Sequence, residues 1–476
     1  MSTRRDVLFG ATAGAALALA APALAQPRTR NADAWREAEA IVARVKPPTF
    51  PDRDFFLEDF GGDPQAVADS SQAFAKAIAA CNAAGGGRVV VRPGEWLTGP
   101  IHLKSNVNLH LQKGATVRFK TDPKAYLPLV FTRWEGIELM NYSPFVYAFE
   151  QENIALTGEG VLDGQCSREH WWTWKGPWKQ NQHGWTEGMP NQRPSRAKLF
   201  QMAEERVPVE QRIFGEGHYL RPPFIQPYRC KNVLLEGVSL RRSPFWQVHP
   251  VLCQNVTIRR LDINSHGPNN DGCDPESCRD VLIEDCFFST GDDCIALNSG
   301  RNEDGRRLAT PCENVVIRNC RMADGHGGLT IGSQISGGVR NVFAENCRLD
   351  SPDLDHAIRF KNNALRGGTL EHVRIRNIEV GQVRKAVVTV DFNYEEGANG
   401  RFRPVLRDVV VENVRSGKST RAVDLQGLPK GEVSDITLLD CDFRGVAESS
   451  IIKHVTGLKL QNVQVNGRPV NSLASV

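Results

Sequence analysis

From about residue 230 onward a ten-residue phrase recurs: a polar residue, then Val or a substitute, an alternating segment, and a small apolar residue five positions after the Val. Its copies are KNVLLEGVSL from Lys231, QNVTIRRLDI from Gln254, RDVLIEDCFF from Arg279, ENVVIRNCRM from Glu313, RNVFAENCRL from Arg340, EHVRIRNIEV from Glu371, RDVVVENVRS from Arg407 and SDITLLDCDF from Ser434. Anchored on Val233, Val256, Val281, Val315, Val342, Val373, Val409, Ile436 and Leu458, the shortest intervals are 22 to 25 residues, and the longer ones read as the same unit with a loop inserted. Period-two alternation of β-branched residues predicts strands, and the Asn, Asp and Gly at their ends predict turns. No stretch between the copies is long or periodic enough for a helix, and the L-x-x-L-x-L phrase of a leucine-rich repeat is absent. A chain that makes one short-stranded turn every 22 to 25 residues is predicted to be all-β, a right-handed parallel β-helix whose coils stack roughly 4.8 Å apart. SNVNLHL from Ser105 and ENIALTGEGVLDG from Glu152 fit as further coils, so residues 51–476 are expected to form one elongated domain.

The rest of the chain is read against that solenoid. DSSQAFAKAIAACNAA, Asp69 to Ala84, places Phe74, Ala77, Ile78 and Cys81 at helical spacing and is predicted to cap the exposed N-terminal end of the coil stack. Residues 1–25 read as an export leader: Arg4-Arg5, an Ala/Leu run, then Ala23-Leu24-Ala25 before Gln26. The arginine pair resembles a twin-arginine signal, so the mature protein is expected to be periplasmic or secreted, with no membrane anchor after cleavage. Residues 26–50 are expected to be a linker. Between about 166 and 228 the repeat gives way to an insertion holding Trp171, Trp172, Trp174, Trp178 and Trp185, whose rings could be sugar platforms or packing. Of the twelve cysteines, Cys286, Cys320, Cys347 and Cys441 fall at the small apolar position of the phrase and are expected to be core ladder residues, while Cys273 with Cys278 is a candidate bridge. The net charge of +3 gives no general affinity for nucleic acid or anionic membrane.

On a solenoid, polar residues recurring at the coil period form a stripe up one face. Asp271 lies in PNNDGCDPES, Asp292-Asp293 follow in TGDDCIALNSG 21 residues later, His326 lies in DGHGGLTIGS, and Arg359 and Lys361 lie in IRFKNN, 33 and 35 residues after His326. Four successive coils thus bring three carboxylates, an imidazole and two cations to one cleft. Inverting glycoside hydrolysis needs one protonated and one ionised carboxyl group roughly 6.5 to 9.5 Å apart, and crowding is expected to raise the pKa of at least one of these aspartates. Adjacent Asp292 and Asp293 both reach the cleft only if the backbone turns at Gly291. Arg359 and Lys361 suit a carboxylated sugar, so the stripe points to an acidic polysaccharide.

The NNDGCD, GDDCIA, GHGG and RFK segments, in that order and spacing, resemble the four signature segments of the polygalacturonase family, family 28 of the glycoside hydrolases. The similarity extends from about Asp59 to Leu460. The resemblance implies Asp292 as general acid, Asp271 with Asp293 as the pair that activates water, and His326 as a supporting residue beside the acid. It further implies Arg359 and Lys361 as binders of the substrate carboxylate, Asn269 as orienting the first motif's loop, and Tyr394 as a substrate contact. No metal or other cofactor is expected. The function so implied is inverting hydrolysis of α-1,4 links next to galacturonic acid in an acidic plant cell-wall polysaccharide, with exo action if the insertion walls off one end of the cleft. A rhamnogalacturonan-directed hydrolase, a calcium-dependent pectate-type lyase and a non-catalytic sugar-binding β-helix are the alternatives.

Overall fold

The computed structural model describes residues 27–178 and 182–473; the leader expected over 1–25 lies outside them. Each copy of the phrase is a strand, and the strands stack in parallel from Lys231–Glu236 through Gln254–Arg259, Arg279–Glu284, Cys312–Arg318 and Val339–Glu345 to Thr369–Gln382. The register sets Val233 on Val256, then Val281, Val315, Val342, Val373, Val409 and Ile436. All are buried in one core that runs the length of a right-handed parallel β-helix, each contributing about 1.5–3 kcal/mol of apolar burial. The coils expected at Ser105 and Glu152 join the same stack, with Ala155 on Asn108 and Ile154 on Val233.

The polar residue before each anchor makes the turn. Asn232, Asn255, Asp280, Asn314 and Asn341 have φ between 55° and 60°, the left-handed region that Asn and Asp tolerate best. Their side chains then bond from coil to coil: Asn255 Nδ2 donates to Asn232 Oδ1 at 2.7 Å, and Asn232 Nδ2 to Asn153 Oδ1 at 2.8 Å. A second column links Asn413, Asn377 and Asn346. The twelve cysteines are buried and free, Cys286, Cys320, Cys347 and Cys441 in the core as expected. Cys273 and Cys278 do not bridge: Cys273 stacks between Val248 and Ile295, while the Cys278 thiol faces the Pro250 carbonyl.

Two expectations are corrected. Residues 26–50 are no linker, because they carry α1 (Pro27–Arg44). Three outward positions in successive coils are apolar, Leu282, Val316 and Phe343, and α1 covers them with Ala34, Trp35, Ala38 and Ile41, a narrow stripe in an otherwise polar helix. The expected cap is present as α2 (Ser71–Ala83), which buries Phe74, Ala77, Ile78 and Cys81 with Leu57 and Trp96 at the end of the stack. Inside the insertion lies α3 (Arg193–Glu204). The second correction is α4 (Asn302–Leu308), a short helix in the polar loop between two copies of the phrase, where no helix was expected. Its Asp304 makes a buried ion pair with Arg212 at 2.8 Å and accepts from the Glu138 N–H, which fixes it against the insertion.

The chain leaves the coil after Val161–Asp163 and rejoins it at Ile225–Tyr228. An antiparallel hairpin, Val130–Trp134 with Ile137–Asn141, stands beside this insertion. Leu199 and Ala203 of α3 pack on Trp134, Ile137, Leu139 and Phe245, forming a second small core outside the solenoid. That core holds α3 over the face carrying the polar stripe.

Candidate active site

The stripe is assembled by backbone turns as much as by strands. Gly272 N donates to Asp293 O at 2.9 Å and His326 N to Asp292 O at 3.1 Å, so the three motifs sit on directly adjacent coils. The chain bends at Gly291, where an added Cβ would lie 2.4 Å from the Gly267 carbonyl oxygen; only glycine permits the approach that turns Asp292 and Asp293 to the same side. At Gly327 an added Cβ would meet Asp293 Oδ1 at 2.8 Å, so the glycine beside His326 leaves room for that carboxylate. Arg359 aligns with Thr330 and Ala296 of the preceding coils and projects outward, and Lys361 follows two residues on along the same strand face.

Asp271, Asp292 and Asp293 each place a carboxylate oxygen within 4.8 Å of the others. These nearest oxygens are closer than the roughly 6.5 to 9.5 Å expected between the carboxyl groups from the sequence. His326 Nδ1 lies 2.9 Å from Asp292 Oδ1. Lys361 Nζ donates to Asp293 Oδ2 at 2.5 Å, and Arg359 Nη1 lies 3.5 Å from Asp293 Oδ1. Both cations also stand over the Tyr394 ring, at 5.1 Å for Lys361 and 5.5 Å for Arg359. The eight residues singled out from the sequence thus converge, with Arg359 and Lys361 held by an internal carboxylate rather than solvated.

Charge is distributed unevenly among the acids. Burial, then the carboxylates of Asp292, Asp274 and Asp293, push the Asp271 carboxyl well above the usual range. Burial acts on Asp292 in the same direction, but the His326 imidazole, followed by Lys361 and Lys175, outweighs it and holds Asp292 below the usual range. Crowding does raise one of the three, as expected, and in the open cleft that one is Asp271.

Four contributors were not read from the sequence. Asp274, the second acid of NNDGCD, is fully buried, and neither of its carboxylate oxygens has a hydrogen-bond partner among the described residues. Burial, then Asp293 and Asp292, raise its carboxyl as well. Asn270, not Asn269, fastens the loop: its side-chain oxygen accepts from Gly267 N at 2.9 Å and Ser265 Oγ at 2.5 Å. Asn269 instead faces the cleft, its Nδ2 3.5 Å from Asp292 Oδ2 and its Oδ1 accepting from Lys175 Nζ at 2.8 Å and Arg221 Nη2 at 2.9 Å. Arg221 is completely buried and also donates to the Pro244 and Pro268 carbonyls, clamping the loop from beneath. The acid pattern of the motif could have flagged Asp274; Lys175 and Arg221 lie off the coil period and left no periodic signal.

Asp293 is fully buried, while Asp271 and Asp292 open onto a pocket of about 510 Å³. Its far wall is built from α3 and two loops: Arg196 pairs with Glu135 at 2.8 Å and Glu395 at 3.1 Å, and Arg301 bonds Glu395 and Glu396 while stacking on Phe200. Of the insertion's tryptophans, Trp171 is in the core and Trp185 bonds the Met189 carbonyl, while Trp178 lines the pocket. Trp178 and His326 also border a second cavity of about 480 Å³ that continues past His266 and Asp324.

Residues 215–465 match the model of the glycosyl hydrolases family 28. The chain superposes on a hyperthermoactive exopolygalacturonase from Thermotoga maritima with a TM-score of 0.89 at 46% identity, covering 92% of this chain and 97% of that one. It is also 27% identical to a probable polygalacturonase of Vitis vinifera, over 80% of this chain and 72% of the relative. It is 27% identical to an endo-polygalacturonase of Pectobacterium carotovorum, over 70% and 75% respectively.

Proposed function

Since the chain belongs to the glycosyl hydrolases family 28, we propose that it hydrolyses α-1,4 links next to galacturonic acid in pectic chains, from the chain end and with inversion. What carries this is the convergence of Asp271, Asp292, Asp293 and His326, of which Asp271, Asp292 and His326 line one walled pocket. In this mechanism Asp271 and Asp293 hold the attacking water, whose proton passes to Asp293 as its oxygen bonds the anomeric carbon, and Asp292 delivers a proton to the departing glycosidic oxygen. His326 Nδ1 lies 2.9 Å from Asp292 Oδ1 and is placed to pass a proton to that carboxylate. A uronate entering the pocket neutralises Lys361 and Lys175, two of the charges that hold Asp292 down, and thereby favours its protonation.

Exo action is supported by the ion-paired wall that α3 and the Glu395 loop raise across the pocket, and by the likeness to an exopolygalacturonase. Export to the periplasm or beyond is supported by the Arg4-Arg5 leader.

The test is incubation of the mature protein with polygalacturonate and, separately, rhamnogalacturonan in the presence of EDTA. Galacturonic acid released from polygalacturonate as its β-anomer first, seen by proton NMR and without unsaturated product, is the expected outcome. Asp292→Asn should lower that rate by about 10²–10⁴-fold with the circular dichroism spectrum unchanged. An unsaturated product, or α-anomer first, overturns the mechanism.

A further inference from the structure

Lys175 reaches the pocket from the insertion, ahead of α3, and it differs from the other cations there. Lys361 is bonded to Asp293, and Arg196 to Glu135 and Glu395. Lys175 donates instead to a neutral amide oxygen, that of Asn269, at 2.8 Å, with its ammonium 4.4 Å from the centre of the Trp178 ring. Arg193 likewise bonds a neutral group, the Pro177 carbonyl, but it is exposed at the rim. The other end of the Asn269 amide faces Asp292, so Lys175 stands one side chain away from the acid. A carboxylate arriving at Lys175 displaces no anion, whereas one arriving at Lys361 must compete with Asp293. Burial and Arg221 push the Lys175 ammonium down to about 8, with Glu135 and Asp292 acting the other way, so an anionic ligand would also relieve its crowding by like charge.

We propose that Lys175 is the residue that recognises the carboxylate of the terminal sugar in the pocket, a specificity-determining contact separate from Arg359 and Lys361. The proposal rests on the galacturonan reading of the same pocket and names the residue that makes it selective for a charged chain end. The arrangement is a property of the insertion: the catalytic coils supply the acids, and a side chain off the coil period chooses the substrate.

A cycle between residue and substrate tests this. Two oligogalacturonates are compared, one with a free terminal carboxylate at the non-reducing end and one with that group methyl-esterified. The comparison uses kcat/KM in the parent and equilibrium binding in an Asp292→Asn background, each with and without Lys175→Met. With Lys175 present the free acid should be preferred at least about tenfold in both measurements, Lys175→Met should abolish the preference, and Lys175→Arg should keep most of it. If Lys175→Met weakens both substrates equally and leaves the preference intact, Lys175 only positions Asn269 and the proposal is wrong. Selective binding that depends on Lys175, with no hydrolysis in the parent, would uphold this recognition while overturning the catalytic reading.

Discussion

The contact between Asp292 and His326 makes the acid's titration a property of two groups, and that sets a direction for pH experiments. With a 2.9 Å hydrogen bond to an imidazole, Asp292 gives up its proton at lower pH than an isolated carboxyl. His326→Gln removes the opposing charge, so Asp292 holds its proton to higher pH. The limb of the kcat/KM profile that reports it should move upward by about one unit or more, with a lower maximum because the proton donor is lost. A limb that stays in place would mean that the imidazole does not control the acid. Asp271, the Asp292-Asp293 pair, His326 and the Arg359/Lys361 pair were legible because a solenoid converts sequence spacing into proximity: each of these four groups lies about one coil, or one coil plus a loop, from the next. Lys175, Arg221 and the loop-fastening role of Asn270 were not. The first two approach from an insertion with no periodicity, and Asn269 and Asn270 are told apart only by which way a turn faces each amide.

Among the elements, α1 and α3 show where periodic reading stops. α1 is held by side-chain fit to three outward residues of a β-sheet, a pattern spread over successive coils and invisible within any one of them. Trp35 is nearly buried, edge-on to Phe343 at 5.8 Å and beneath the Arg376 guanidinium at 3.8 Å. Trp35→Ala should therefore destabilise the protein by about 3 kcal/mol, read by denaturant titration. The catalytic rate at 25 °C should hold, because α1 covers a different sheet from the one bearing Arg359 and Lys361. Unchanged stability would show that α1 is not docked. α3 predicts a change of product instead. Arg196→Met removes the bridge between α3 and the Glu395 loop while leaving Glu395 paired with Arg301 and Arg366. Early products of polygalacturonate, resolved by chromatography, should then include di- and trigalacturonate where the parent releases monomer. A monomer-only profile in the variant would mean that the wall does not depend on this bridge.

For the whole molecule, the coil stack and the cysteines make a joint prediction. Thiols recur on neighbouring coils, with Cys230 N donating to Cys253 Sγ at 3.4 Å and the Cys320 thiol facing the Arg318 carbonyl at 3.4 Å. Burial pushes the thiols of Cys166, Cys253, Cys273 and Cys312 up, suppressing the reactive thiolate while the fold holds. An unfolded chain crossing into an oxidising compartment has no such protection. Protein exported through the leader proposed at Arg4-Arg5 should therefore show all twelve thiols free when titrated in denaturant. Rerouting through a leader that exports unfolded chains should lower that number and the yield of active enzyme together; an equal thiol count by both routes would remove the argument for export after folding. The asparagine columns carry a different consequence. Along the columns each amide bonds its counterpart on an adjacent coil, and Asn255 also ties down the Lys46 backbone, so the columns hold the coils by local contacts. Such a scaffold is modular to natural selection: a connecting loop can lengthen, or a whole rung be gained, with disturbance confined to its immediate neighbours. New substrate preferences on this architecture are then expected to arise through inserted segments between rungs, while the catalytic rungs themselves stay the same length.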